Sequence, residues 1–170
     1  MFSFTLQVKA EGYKRSRNTR VYLCASSPDE SGSEALEWCL ESLVQDGDEL
    51  IIFRGVDEDV FGKNTHTVSG SRIVLRFYFA EKNHNVVREE AREFMRTIQG
   101  RSVEVDSQRK LSLILEYIPG KITDSIDRLI ALYRPDSVVV GTRGRRFAAS
   151  LVQGFGVGLV HVSSIGSISK

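Results

Sequence analysis

The sequence is poor in the residues that build many recognisable sites: two cysteines, three histidines and three prolines in 170 residues. Cys24 and Cys39 form no Cys-x-x-Cys pair and sit inside apolar stretches, which excludes a disulfide framework or thiolate zinc site and makes them small core residues of a reducing compartment. His66, His84 and His161 are scattered. With no His-Glu-x-x-His, no Gly-x-Ser-x-Gly and no phosphate loop ending in Lys-Ser or Lys-Thr, the common metallohydrolase, serine-hydrolase and P-loop chemistries lose their carriers. Asp57, Glu58 and Asp59 read as a solvated loop, so no metal site is assigned. Neither sign of charge is in excess. A formal net charge of +1 argues against a general polyanion binder, nucleic acid included, so any phosphate preference must be local. No run approaches the ~18 apolar residues of a membrane span. The N-terminus also lacks the basic head and apolar run of a secretion signal, and a cytoplasmic location is the expectation.

What is present fits one compact domain, with 41% apolar and 26% charged residues. Residues 1–20 read as an N-terminal strand and a basic linker. Phe2, Phe4, Leu6 and Val8 alternate with polar residues, a period of two, and Lys14, Arg15, Arg17 and Arg20 belong to a solvated connector. From residue 21 the pattern turns to short apolar runs alternating with amphipathic segments. Val21 to Ala25 is a strand that ends in the turn Ser26-Ser27-Pro28-Asp29. Ser31 and Glu34 form a capping box for a helix with Leu36, Cys39, Leu40, Leu43 and Val44 on one face, stopped at Asp46-Gly47. Glu49 to Phe53 is a second buried strand. Residues 57–85 read as an atypical insertion whose centre, 72–80, carries Ile73, Val74, Leu75, Phe77, Tyr78 and Phe79 and reads as a strand of its own or as a poorly packed, sticky insertion. A helix face follows at Val87, Ala91, Phe94 and Ile98. Leu111 to Ile118 is another buried strand, Thr123 caps a helix ended by Pro135, and Ser137 to Val140 is the next strand.

Strands alternating with helices predict a three-layer, doubly wound, mostly parallel α/β sheet, with extra strands from residues 2–8 and 72–80. Such sheets bind ligands outside the carboxyl ends of the strands, where the winding reverses. That directs attention to the turns after Ala25, Phe53 and Val140. The last of these reads Gly141-Thr142-Arg143-Gly144-Arg145-Arg146. Glycines allow backbone amides to approach phosphate oxygens and arginines add charged donors, so an anion site is sensible chemistry. The same glycines could instead only supply positive φ at a turn.

Several pieces, in order, resemble the universal stress protein family, above all its fungal type. They are Ala35-Leu36-Glu37-Trp38, Asp46-Gly47-Asp48-Glu49, Gly120-Lys121-Ile122, Val140 to Gly144, and Gly166-Ser167 ahead of Lys170. The resemblance covers most of the chain from Arg20 onward. It implies a domain over 21–170 of the adenine-nucleotide alpha-hydrolase-like fold, with a pocket for ATP or a related adenine nucleotide, with or without magnesium. Ala25, Ser26, Ser27, Gly55 and Val56 would meet base and ribose; Gly141, Arg143, Gly144, Arg145, Gly166 and Ser167 would meet the phosphates. It further implies a homodimer, slow hydrolysis at most, and a role in stress response or signalling. Three departures stand against it. Ser27 occupies the position where nucleotide binders of the family place an aspartate. The family's spacing from Gly144 lands on Gly154-Phe155, without a hydroxyl, so that Gly166-Ser167 requires an elongated loop over 145–165. Val157 to Val162 is the one candidate for the family's last strand, and if it takes that place, 146–153 becomes a shortened helix. The alternative function is an interaction or scaffold protein of the same fold with a degenerate pocket.

Overall fold

The computed structural model describes residues 3–56, 72–142 and 158–163. In chain order they form β1 (Phe4–Lys9), β2 (Val21–Ala25), α1 (Glu30–Trp38, running into a π-helical turn at Cys39–Leu43), β3 (Glu49–Val56), α2 (Arg72–Val105), β4 (Ser112–Pro119), α3 (Ile122–Tyr133), β5 (Ser137–Thr142) and β6 (Gly158–Ser163). One six-stranded sheet has the order β1-β4-β3-β2-β5-β6. β2 to β6 run parallel, and β1 lies antiparallel on β4 with Phe4 opposite Tyr117 and Lys9 opposite Ser112. The expected three-layer, doubly wound α/β architecture is therefore present, and so is the N-terminal extra strand.

Both faces of the sheet are apolar because the parallel strands are covered on both sides. On one face Cys24, Leu50, Ile52, Leu115 and Val139 pack with Ala35, Leu36 and Leu40 of α1 and with Val87, Ala91, Met95 and Ile98 of α2. On the other, Leu23, Ile51, Phe53 and Val138 pack with Ile126, Leu129 and Ile130 of α3. Cys24 and Cys39 are buried free thiols of the first core, as expected.

Four expectations are corrected. Residues 72–80 are the first turns of α2, not a strand. Their β-branched and aromatic content favours a strand locally, but Ile73, Phe77 and Ala80 are spaced four and three apart, in phase with Val87 and Ala91, and a long crossover helix between β3 and β4 overrides propensity. Residues 158–163 form β6, pairing in register with β5 from Ser137 opposite Gly158 to Thr142 opposite Ser163. A continuous loop over 145–165 is thereby excluded, and the alternative placing of a last strand at 157–162 is the one realised. The cap of α1 is Asp29, whose carboxylate accepts from Gly32 N at 3.0 Å, not Ser31; Ser31 instead donates to Asp29. Helix α3 starts at Ile122 with Lys121 at the N-cap and no side-chain cap bond, so Thr123 lies inside it. Arg134, in the left-handed region at φ 49°, ends α3 before Pro135.

One of the sequence pieces that carried the resemblance, Asp46-Gly47-Asp48-Glu49, is structural. Gly47 takes φ +85° in the turn before β3, a conformation that suits glycine. Around it Asp46 accepts from Lys110 N at 2.7 Å, and buried Asp48 accepts from Arg20 Nε at 3.1 Å, Arg20 Nη2 at 2.6 Å and Gln45 N at 2.7 Å. Arg20 is thus a clamp, not a free member of the connector. Arg109, which no sequence pattern marked, closes the end of the α1 segment by donating to the carbonyls of Leu40 and Val44 at 2.8 and 2.9 Å.

Candidate ligand-binding site

The strand order places the reversal of winding between β2 and β5. From β2 the chain steps outward through β3 and β4; from β5 it steps the other way to β6. Carboxyl ends of β2 and β5 therefore diverge in their connections and leave a crevice, as this topology requires. What stands there is the Ser26-Ser27-Pro28-Asp29 turn and the first turn of α1.

Ser26 is buried and committed. Its N–H donates to Phe53 O at 3.0 Å, and its hydroxyl donates to Gly32 O at 3.2 Å. Ser27 donates its hydroxyl to Asp29 Oδ1 in a short hydrogen bond. The same oxygen accepts from Ser31 Oγ at 3.2 Å and Gly32 N at 3.0 Å. A negative carboxylate collecting two hydroxyls and an amide at the positive end of α1 is electrostatically favourable. Arg54 completes the turn from the neighbouring strand: its Nη1 donates to Ser27 O at 3.4 Å, and its guanidinium lies 4.5 Å from the centre of the Phe94 ring on α2. The ring contact fixes a cation beside the crevice.

Gly141 is needed for a reason other than the two considered from sequence. It lies inside β5, opposite Val162 of β6, and not in a turn. It is absent from the residues of positive φ. A Cβ there would stand 1.9 Å from Ser31 O and 3.2 Å from Gly32 N, so only a bare Cα lets α1 rest on the strand. Gly32 fills the other half of the same contact. A Cβ on it would lie 2.2 Å from Ser27 O and 2.3 Å from Ser27 N. Gly32 went unmarked in the sequence, although a glycine in the first turn of a helix, where propensity disfavours it, was the available signal.

Of the expected site residues, Ala25, Ser26, Ser27 and Gly141 meet at this crevice. Gly55 and Val56 are one strand away and still inside β3, paired with Ile118 and Pro119; the strand does not end at Phe53 as expected. A Cβ on Gly55 would meet only ordinary contacts with Ile122 and Phe53. Arg143, Gly144, Arg145, Gly166 and Ser167 lie outside the described residues, as do Gly154 and the segment 146–153. Among the described residues, Arg54 and Asp29 are charged groups that the structure brings to the crevice.

A parallel sheet whose winding reverses beside a hydroxyl-lined helix start defines an α/β protein of the class that binds ligands at its switch point. The universal stress protein family model matches residues 18–164. The chain belongs to the universal stress protein family. It is 31% identical over 150 residues to a universal stress protein A family protein of Schizosaccharomyces pombe, covering 85% of this chain and 41% of that protein. The chain thus spans about two-fifths of the length of that relative. Among solved structures, a universal stress protein family member from Burkholderia pseudomallei matches with a TM-score of 0.57 at 18% identity, over 86% of this chain and 98% of that one. A family protein from Arabidopsis thaliana with AMP bound matches with a TM-score of 0.56 at 14% identity, over 89% and 96% of the two chains. At such identities these two speak for the fold alone. Among the described residues, no helix is long and apolar enough to cross a membrane.

Proposed function

We propose that this chain is a nucleotide-binding module of the universal stress protein type, holding ATP or a related adenine nucleotide at the crevice between β2 and β5, with or without magnesium. It acts in the cytoplasm as a homodimer in stress response or signalling, with slow hydrolysis at most. The observation that carries this reading is the reversal of winding between β2 and β5, with the first turn of α1 and the Arg54 guanidinium beside it. AMP in the Arabidopsis relative supports the ligand class. Thermal melting of the purified chain with AMP and with ATP, with and without magnesium, tests it. A nucleotide at a hundred times its dissociation constant adds about 2.7 kcal/mol of stability, and an unchanged melting temperature with no nucleotide released on denaturation overturns the reading.

The second reading, an interaction or scaffold protein with a degenerate pocket, is favoured by one observation. The Ser27 hydroxyl, which stands in for the family's aspartate, is spent on Asp29. Restoring an aspartate is therefore not a single change, because Ser27→Asp would set two carboxylates against each other. The double variant Ser27→Asp with Asp29→Asn keeps a capping side chain and tightens nucleotide binding under the first reading. Under the second it binds none.

A further inference from the structure

We propose that the free edge of β1 pairs with β1 of a second copy of this chain, antiparallel and centred on Gln7, to make one continuous sheet across a homodimer. This names the interface of the homodimer in the reading above and rests on that part of it alone, not on nucleotide binding.

The ladder to β4 decides which backbone groups of β1 face outward. β1 ends the sheet, with β4 on one side and, among the described residues, no strand on the other. Ala10 N donates to Leu111 O at 2.9 Å, one step beyond the pair of Lys9 and Ser112 in the same register. Ala10 is thus at a hydrogen-bonded position of the antiparallel ladder. Because such positions alternate, Val8, Leu6 and Phe4 also turn their N–H and C=O groups to β4, and Thr5, Gln7 and Lys9 turn theirs away. Among the described residues no backbone hydrogen bond reaches these three, and their side chains are exposed as well.

An outward row of that kind is a template for a further strand unless the edge is blunted by proline, a bulge or an inward charge. β1 has none of these. It contains no proline, its register with β4 is unbroken from Phe4 to Lys9, and its single charged residue, Lys9, stands at its last position. The strand also precedes residues 18–164, the span matched by the family. The edge is therefore something this chain adds to the family domain.

Self-complementarity selects a second copy as the occupant. With Gln7 on the two-fold axis, Gln7 faces Gln7 and Thr5 faces Lys9 in both directions, so every outward N–H and C=O of β1 gains a partner. An axis at Leu6 or Val8 instead sets Lys9 or Thr5 against residues outside the strand. On the apolar face the same register places Leu6 against Val8 and Phe4 against Ala10 of the second copy. Phe4, Leu6 and Val8 are half-buried residues packed on the first core, and the pairing continues that apolar face from one molecule into the next.

The charges agree with this register. The two Lys9 residues stand four positions apart along the paired strands, about 14 Å. Lys9 of the second copy faces Thr5, and Thr5 in turn lies opposite Glu116 of β4. Glu116, 5% exposed, accepts from Thr5 Oγ1 at 3.0 Å and from the Tyr133 hydroxyl in a short bond, both neutral donors, and among the described residues no cation pairs with it. Two strand spacings, about 9.6 Å, separate the backbones of Lys9 and Glu116, and both long side chains shorten that gap. The second copy brings a positive charge to the side where this one holds a negative charge.

Sedimentation velocity of the full chain from about 1 to about 500 µM, a range around a micromolar dissociation constant, tests the pairing without added nucleotide. A monomer–dimer equilibrium is expected. Gln7→Pro weakens it at least about tenfold by removing the bonds at the axis, and it spares the bonds to β4 because the Gln7 N–H points away from that strand. Gln7→Lys keeps the N–H and weakens association too, since two ammonium groups then meet on the axis; the result does not depend on proline being tolerated. Hydrogen exchange followed by NMR gives the register: the amides of Thr5, Gln7 and Lys9 slow with rising concentration, whereas those of Leu6 and Val8 are protected throughout. A chain that stays monomeric across the range overturns the inference together with the homodimer, and leaves the edge to an extended strand of another protein. A dimer that both Gln7 variants leave intact overturns the inference alone, because the homodimer then uses another surface. Exchange at Thr5, Gln7 and Lys9 that is indifferent to concentration overturns it as well.

Discussion

The two rims of the parallel sheet are held by opposite means. At the amino-terminal rim, carboxylates reach across the chain. Asp48 grips Arg20 and Gln45 N, Asp46 accepts from Lys110 N at 2.7 Å, and Asp136 accepts from Val21 N at 2.7 Å. Apart from the Asp48–Gln45 bond, which lies within one turn, each bond joins the chain at the start of one strand to another part of the rim. At the carboxyl rim Asp29 gathers Ser27, Ser31 and Gly32 from its own turn. What brings backbones closest there is the lack of side chains, with Gly141 against Ser31 and Gly32 against Ser27, while Arg54 reaches over from β3. Charge fixes the lower rim, and close backbone contact fixes the upper one. The upper arrangement sets hydroxyls, a helix start and the Arg54 guanidinium around the crevice.

Three measurements bear on this contrast. The largest effect is expected for Gly141→Ala, whose Cβ would meet Ser31 O at 1.9 Å. Overpacking of that severity costs about 3 kcal/mol or more, and a urea midpoint within error of the parent would break the account of the upper rim. Asp48→Asn is next. It loses charge-assisted bonds to Arg20 worth about 1.5–3 kcal/mol, while nucleotide affinity per folded molecule stays as in the parent; a change in affinity with no loss of stability would reverse the division between rims.

The smallest effect at neutral pH is Tyr117→Phe. The Tyr117 hydroxyl is buried without a partner, so its removal is worth about 1 kcal/mol or less in either direction. Burial first, then Glu90, push its pKa from 10.0 up to about 12, against the opposing pull of Arg54. The folded state therefore holds the proton more tightly than the unfolded one. Its contribution is complete below pH 10 and is lost as pH rises towards 12. Denaturation followed across that window should fall more steeply in the parent than in Tyr117→Phe, and parallel curves would remove Tyr117 from the alkaline limb.

The parallel strands were legible because each is a short apolar run bounded by turn residues, and β2, β4 and the start of β5 sit where those runs predicted. Helix α2 was half legible. Val87, Ala91 and Ile98 marked its second half, but the aromatic and β-branched run before them spoke for a strand until the helical spacing of Ile73, Phe77 and Ala80 was weighed against it. At the site, the sequence pointed to Ala25, Ser26, Ser27 and Gly141 through topology and resemblance, and those four do meet. It could not show that Asp29 captures Ser27, or that Arg54 reaches back to the same turn, since both depend on how a turn folds over a neighbouring strand. The clasp of Thr5, Glu116 and Tyr133 joins residues far apart in the chain, and no periodicity announces such a meeting.

The antiparallel direction of β1 has a practical consequence. Because Phe4 pairs with Tyr117, the beginning of β1 lies on the same side of the sheet as Ser27 and Gly141. Three interstrand steps, about 14 Å in all, separate β1 from β2. A fluorophore attached at Ser3 would look along the mouth where ligand is expected to arrive, and one at Ala10 would watch from the far side as an internal reference.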